Sequence, residues 1–520
     1  VPSYPETVIV VKKTAWLTAL FLLVTTLQAP VPAAAKKAEG RPVHEREAPP
    51  DTGLSTTEHS VRLRGAVLRY KATAGYMHTG TGDKKADIFF VSYVKEGVTD
   101  KKDRPVTFVF NGGPGASSIW LHLGAIGPKR ISKFFTGKPL SPPYSLVDNE
   151  YTWLDLTDLV FIDPVGSGYS RAATGGKDFY GLSEDAKSVG EFVRRYVTEE
   201  ERWLSPKFIA GESYGTVRAV LLADRLHEAY GMDVNALMLI SPVLNFQTFT
   251  FGAGNDLPYV LFLPSYAAAA AYHKKTSFAA IDGRGALRQV EEWAVGDYMV
   301  SLARGSAMSD SERQSVARKL SAYTGLPKRY IENQDMRISN SEFINKLLYD
   351  RHRFLGLLDS RYTGTKPAED LFYDDPTMVG TLGFYVAAMN DYVRRELGYK
   401  NDLPYEYLSK KASWSWDWGS AARGYPDVAG KLGKLINRTH YLKVFIAAGY
   451  YDLDAPYFAA VYTVNHLGLQ PGRRKNVTLE LYKAGHQMYT DLPSLKKLRS
   501  DISAFIENLF ADGRKEGAAD

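Results

Sequence analysis

The 520-residue chain contains no cysteine. That excludes a thiol nucleophile, a zinc–thiolate site and any disulfide framework. Nucleophilic chemistry must come from oxygen or nitrogen. Charge of one sign is also scarce: 64 Lys and Arg face 58 Asp and Glu, a net of +6, and no basic block stands out. A nucleic-acid protein concentrates its positive excess, so that class is disfavoured. No internal repeat recurs at a fixed period. Beyond the N-terminal region the one long apolar run is Leu257–Tyr272, broken by Pro264 and ending in alanines. What is present is the ordinary balance of a packed chain, 45% hydrophobic and 23% charged, which rules out disorder for the bulk of it. Aromatics reach 12%, enough to line a cleft as well as to fill a core.

Lys12 and Lys13 precede an apolar run from Ala15 to about Leu27, and Ala33-Ala34-Ala35 follows. This order of charge, apolar run and small residues predicts a secretory signal peptide over 1–35. The run is shorter than the ~20 residues that span a bilayer, so no stable membrane insertion is expected after cleavage. Residues 36–56, rich in Lys, Glu, Pro and Ala, read as a linker.

From about His59 short β-rich runs recur at Ser60–Tyr70, Ala86–Val94, Val106–Phe110, Leu159–Asp163, Lys207–Ala210, Ala236–Ser241, Lys443–Ala447 and Val477–Tyr482. Several are almost wholly apolar, as strands buried on both faces are. Helical patterns lie between many of them, at Ser183–Val197, Val217–Tyr230 and Leu495–Ala511. This alternation predicts an α/β fold with a central, mostly parallel sheet and helices on both faces. The rhythm breaks between Ser241 and Lys443, where the pattern turns helical and rich in Tyr and Trp, including Trp414, Trp416 and Trp418. The expected organisation is a core over 57–245, a large, mainly helical cap insertion over 246–435, the rest of the core over 436–512 and a tail over 513–520.

The sharpest chemical signal is Gly211-Glu212-Ser213-Tyr214-Gly215. It is a G-x-S-x-G placed directly after a strand and before a helix, the context that presents a serine nucleophile on a tight turn. The helix N-terminus behind Ser213 favours developing negative charge. In this architecture an acid and then a histidine follow later in the chain, each after a strand. Of the 10 histidines, His486 fits; His440 precedes its strand and His466 sits in a helical stretch. By position the acid is Asp452 or its close competitor Asp454. The strand Val106–Phe110 runs into Asn111-Gly112-Gly113-Pro114-Gly115, where the second oxyanion donor belongs. The Tyr214 amide is the first donor and the Gly113 amide the second. No Gly-Lys-Ser/Thr ending follows these glycines, which argues against a phosphate loop. Ser494-Leu495-Lys496-Lys497 matches S-x-x-K, but it lies in a lysine-rich helical stretch without companion motifs and reads as plain helix.

Together these segments resemble the serine carboxypeptidase family, whose fold is the α/β-hydrolase fold. Asn111–Ser118, NGGPGASS, is similar to its NGGPGCSS signature. Gly211–Gly215 resembles its nucleophile turn, and Asp163–Ser170, DPVGSGYS, its D-x-P-V-G-x-G-[YF]-S segment with one residue absent. Gly449–Pro456, GYYDLDAP, is similar to G-D-x-D-x-x-x-P, a spacing that selects Asp452 as the acid. Gly485-His486-Gln487-Met488 resembles the family's histidine segment. The resemblance implies removal of C-terminal residues from peptides with a free C-terminus by a Ser213–His486–Asp452 acyl-enzyme mechanism, with no metal or organic cofactor. It also implies that Asn111, the Gly112 amide and Glu212 hold the peptide's terminal carboxylate. A glutamate shares a hydrogen bond with a carboxylate only when one of the two is protonated, so acidic pH is favoured. Two departures matter. Val109 replaces a tryptophan found in many eukaryotic members, and Ala125 replaces a glutamate that pairs with the one before the serine. The second weakens the expectation of acid preference. Ala116 at the usual cysteine and the loss of all disulfides point to a bacterial branch, exported to the periplasm or outside. An esterase or acyltransferase on the same fold stays open, because fold does not fix substrate; the other alternative, a binding protein on a catalytically dead hydrolase fold, is disfavoured by the presence of all three triad candidates.

Overall fold

The computed structural model describes residues 53–516 apart from 82–83, 135, 277, 279–283, 366–369 and 420–423. The predicted signal peptide and the linker up to residue 52 lie outside the described residues. The sheet is built from β1 (Ser55–Leu63), β2 (Ala66–Thr79), β3 (Ala86–Lys95), β4 (Val106–Phe110), β5 (Asp158–Ile162), β6 (Lys207–Glu212), β7 (Ala236–Ile240), β8 (Lys443–Gly449) and β9 (Val477–Tyr482). The short strand Arg171–Ala172 pairs with the start of β3. In space the order is β1-β2-β3-β5-β4-β6-β7-β8-β9. The pairings β1–β2, β2–β3 and β3–β5 are antiparallel. From β5 to β9 every neighbouring pair is parallel.

One strand reading is corrected. The run read as a single strand, Ser60–Tyr70, is a hairpin. Apolar residues alternate on both sides of Arg64-Gly65, at Val61 and Leu63 and again at Leu68 and Tyr70, so the run reads as one strand although its phase shifts at the turn. Both residues take left-handed backbone, with φ of 49° and 85°. β1 also begins at Ser55, inside the segment read as linker, and the last helix runs on to Glu516, inside the segment read as tail.

The central strands bury both faces, and their residues alternate between two hydrophobic clusters. Phe108, Phe110, Ile209, Leu237, Leu239, Val444 and Ile446 face one cluster. Val109, Phe208, Ala210, Met238, Phe445 and Ala447 face the other. Helices α1 (Leu182–Glu199), α2 (Tyr214–Tyr230) and α3 (Leu257–Tyr272) pack on the first face. Helices α4 (Pro376–Arg395) and α5 (Leu492–Glu516) pack on the second. In α5 the stripe Leu495, Leu498, Ile502 and Ile506 is buried at helical spacing.

The long insertion between β7 and β8 is mainly helical. It is not a lobe standing apart: α3 joins the core on one face and α4 on the other, and the described residues form one compact unit. The apolar run Leu257–Tyr272 is a core helix, buried almost throughout. No helix among the described residues is long and apolar enough to cross a membrane.

Candidate active site

Ser213 stands between the end of β6 and the start of α2, with φ 57° and ψ −129°. That is a costly conformation for a residue with a side chain, of order 1–3 kcal/mol. Backbone bonds hold it there: the Ser213 amide donates to the Ile240 carbonyl at 3.0 Å, and the Thr216 amide and hydroxyl donate to the Ser213 carbonyl at 2.8 and 2.7 Å. The turn closes so tightly that a Cβ on Gly211 would lie 2.2 Å from the Gly215 carbonyl oxygen. The glycine spacing of the motif follows from that approach.

The turn after β4 lies directly against the nucleophile turn. A Cβ on Gly112 would sit 2.5 Å from the Tyr214 nitrogen and 2.6 Å from the Glu212 carbonyl oxygen. Both are backbone atoms, so neither could swing away. The Gly113 and Tyr214 amides, the predicted oxyanion donors, therefore belong to segments in direct contact. Gly112→Ala is expected to push them apart and lower kcat by about 10²–10³, the usual cost of losing one donor. Steady-state kinetics on the folded variant would measure this, and a near-normal kcat would place the donors elsewhere.

His486 follows β9, and Asp452 follows β8. The His486 Nδ1 and Asp452 Oδ2 are 2.7 Å apart, with Asp452 fully buried and His486 nearly so. The other Asp452 oxygen, Oδ1, accepts the amides of Asp454 and Ala455 at 2.8 and 2.9 Å. Asp454, the competitor, lies 4.0 Å from Nδ1 and is 37% exposed. Burial works against a charged imidazole, but the Asp452 carboxylate, aided by Asp454 and Glu212, holds the His486 pKa above its ordinary value. Ser213, His486, Gly113, Asn111, Gly112 and Glu212 all line one cleft of about 150 Å³.

At the floor of that cleft the Asn111 Nδ2 donates to Glu212 Oε1 at 3.0 Å, and both side chains are buried. The Asn111 Oδ1 accepts the Leu121 amide at 3.1 Å, which orients the amide group. Burial pushes the Glu212 pKa up to about 7, with nearby His486 and the hydrogen bonds of Tyr489 and Asn111 pulling the other way. Ala125, fully buried, offers no second carboxyl. Desolvation, with a smaller push from the Asp452 charge, thus raises the pKa in the direction that a neighbouring glutamate was expected to.

Other residues support the site, and of these Asp185, Arg218, Asp359 and Arg361 carried no signal in the sequence. Arg218 on α2 is fully buried; it donates to Asp185 of α1 at 2.7 Å and to the Asn111 carbonyl at 2.7 Å. It thereby ties two helices to the glycine-rich turn. Asp163, which opens the segment Asp163–Ser170, accepts the Ser118 amide and hydroxyl at 2.9 and 3.0 Å and so joins that segment to Asn111–Ser118. Asp359 in the insertion accepts the Gly485 amide at 3.0 Å, Arg361 grips Asp359 at 2.6 Å, and the His486 amide donates to the Leu358 carbonyl at 2.6 Å. The insertion therefore fixes the histidine turn. Trp416 and Trp418 meet the Tyr214 ring edge-on at 5.2 and 5.8 Å, while Trp414 is exposed. Ser494 donates to Asp491 at 2.8 Å in the first turn of α5, the plain helical role expected of it.

A family model described as serine carboxypeptidase matches residues 64–492. Serine carboxypeptidase-like 13 of Arabidopsis thaliana is 27% identical over 179 residues, which are 34% of this chain and 40% of that protein. Serine carboxypeptidase-like 5 of the same plant is 30% identical over 149 residues, 28% of this chain and 33% of that protein. The aligned stretches take in less than half the length of either relative. Among solved structures, a prohormone-processing carboxypeptidase from Saccharomyces cerevisiae matches with a TM-score of 0.54 at 17% identity, covering 84% of this chain and 92% of that one. That likeness concerns the fold: this is an α/β hydrolase whose mostly parallel sheet carries a large helical insertion.

Proposed function

The chain belongs to the serine carboxypeptidase family, and from that premise we propose that it releases C-terminal amino acids from peptides through an acyl-enzyme on Ser213. His486 takes the Ser213 proton as the oxygen attacks the scissile carbonyl. Asp452 fixes the imidazole tautomer and stabilises its charged form. The Gly113 and Tyr214 amides stabilise the oxyanion. His486 then returns the proton to the leaving amine, and water releases the shortened peptide. Asn111, the Gly112 amide and Glu212 hold the terminal carboxylate of the substrate. The signal peptide read over 1–35 makes this an exported enzyme, acting in a periplasm or outside the cell.

The observation that carries the exopeptidase reading is the buried Asn111–Glu212 pair at 3.0 Å, in the same cleft as Ser213 and His486. A protonated Glu212 donates to a carboxylate, and an ionised one repels it. With its pKa at about 7, affinity for a free-acid peptide is present below that pH and lost as pH rises through it. An amidated peptide has no charge for Glu212 to recognise.

The test is one blocked dipeptide, as free acid and as C-terminal amide, across acid and mildly alkaline pH. At acid pH, kcat/KM for the free acid is expected to exceed that for the amide by about tenfold to a hundredfold, the worth of a charge-assisted hydrogen bond. The advantage is expected to vanish through KM above neutrality. Equal cleavage of both forms at every pH, or cleavage of simple esters alone, would make this a broader hydrolase.

A further inference from the structure

Three buried oxygens beside the nucleophile turn, Glu212 Oε2, Tyr385 Oη and Tyr489 Oη, lack a hydrogen-bond partner of ordinary geometry. Such groups are rare in folded proteins and each carries a desolvation cost. Here they gather in one place. Tyr489 comes three residues after His486, in the short turn Met488–Thr490 that leads into α5. Tyr385 projects from α4. A Cβ on Gly124 would lie 2.6 Å from Tyr385 Oη and 2.7 Å from the Tyr489 ring, so the bare backbone at 124 is what lets both tyrosines reach this spot. Both rings are buried, as is Glu212. The Tyr489 hydroxyl lies close enough to interact with the Glu212 carboxyl and with Asn111. Tyr385 senses Glu212 through charge alone.

We propose that Tyr489 is a positioning residue for the terminal-carboxylate site, its hydroxyl turning onto Glu212 Oε2 and orienting the carboxyl that Asn111 grips at Oε1. The proposal rests on the reading of Asn111 and Glu212 given above. A carboxyl held at one oxygen only can rotate or swing; a second donor at the other oxygen fixes its plane towards the cleft. The same contact sets the pH range of the site. The groups facing Glu212 are His486, Tyr489 and Asn111, which favour its ionised form, and Asp452 and burial, which oppose it; Tyr385 stands beside them. A hydroxyl donating to a carboxylate stabilises the charged form. Its removal is therefore expected to raise the Glu212 pKa, extending free-acid cleavage to higher pH.

Tyr489→Phe removes the hydroxyl and keeps the ring, so the core stays filled. The Glu212 titration can be followed directly by infrared spectroscopy of its protonated carboxyl band, identified by its loss in Glu212→Gln. In Tyr489→Phe the midpoint is expected to rise by about one pH unit, the scale of one hydrogen bond to a charged group. The alkaline limb of kcat/KM for a free-acid dipeptide is expected to rise with it, through KM, while the amide profile stays put. Tyr385→Phe, which deletes a hydroxyl from the same cluster, is expected to move the midpoint much less. An unchanged or lowered midpoint in Tyr489→Phe, or an equal rise in Tyr385→Phe, overturns the assignment to Tyr489 whatever the substrate pattern. Equal cleavage of free acid and amide by the parent protein overturns the carboxylate-site reading instead, and the infrared midpoint still decides whether Tyr489 touches Glu212.

Discussion

Ser213→Ala is expected to lower kcat on a free-acid peptide by about 10⁴–10⁶ and to abolish covalent labelling by a fluorophosphonate. The size of the loss follows from what remains. Without the hydroxyl, the Gly113 and Tyr214 amides and the carboxylate site still bind the substrate, but no acyl-enzyme can form. The fold is expected to survive, because Ser213 is held by backbone bonds that alanine keeps, from its own amide to Ile240 and from Thr216 to its carbonyl. Alanine also keeps the strained φ of 57°. Glycine would not: Ser213→Gly adopts that backbone freely, and is expected to melt higher than the parent by the relief of about 1 kcal/mol. Thermal unfolding of the two variants beside the labelling assay separates lost chemistry from lost structure. Persistent labelling of a folded Ser213→Ala protein would identify another nucleophile.

Local geometry explains which parts of this site were legible in the sequence. The turn at Gly211–Gly215 needs glycine at fixed offsets because backbone meets backbone there, so it leaves a mark in sequence. The strands β4 to β8 are read from nearly continuous apolar runs because both their faces are buried, while β9, at the sheet edge, alternates. The hairpin at Arg64-Gly65 was hidden because both of its arms alternate, and only the shift of phase between Leu63 and Leu68 marks the turn. The groups that steady the site were hidden for a different reason. Asp185, Arg218, Asp359 and Arg361 are charged residues on helices or loops, indistinguishable in sequence from solvated ones. Their meaning comes from partners far along the chain: Arg218 reaches Asn111, and Asp359 reaches Gly485. The insertion shows the same limit. Its helical pattern was plain, but its share in the core and its hold on the histidine turn depend on packing that no local pattern encodes. Glu212 was read as a carboxyl that must be protonated to hold a second carboxylate; its burial, the largest of the effects that raise its pKa, is visible only in the structure.

The choice between Asp452 and Asp454 yields the second large effect. Asp452→Asn is expected to reduce kcat by about 10⁴ with little change in KM, and the direction follows from the bonds around it. Oδ1 of Asp452 accepts two backbone amides, and Oδ2 meets His486 Nδ1. An asparagine there must turn its single carbonyl oxygen to the two amide donors. Its NH₂ then faces Nδ1, which has to accept, and the imidazole proton moves to Nε2. In that tautomer the nitrogen that serves Ser213 carries a proton and cannot take one. Asp454→Asn removes only a charge, 4.0 Å away and partly in solvent. That charge raises the His486 pKa, so its loss lowers the pKa. Because His486 acts as a base only when neutral, the acid limb of kcat is expected to move to lower pH by a few tenths of a unit, with the plateau nearly unchanged. The two pH–rate profiles are therefore different in kind: one collapses at every pH, the other slides. A collapse in Asp454→Asn with a mere slide in Asp452→Asn would exchange the two roles, and it would require the buried 2.7 Å contact to matter less than the exposed 4.0 Å one.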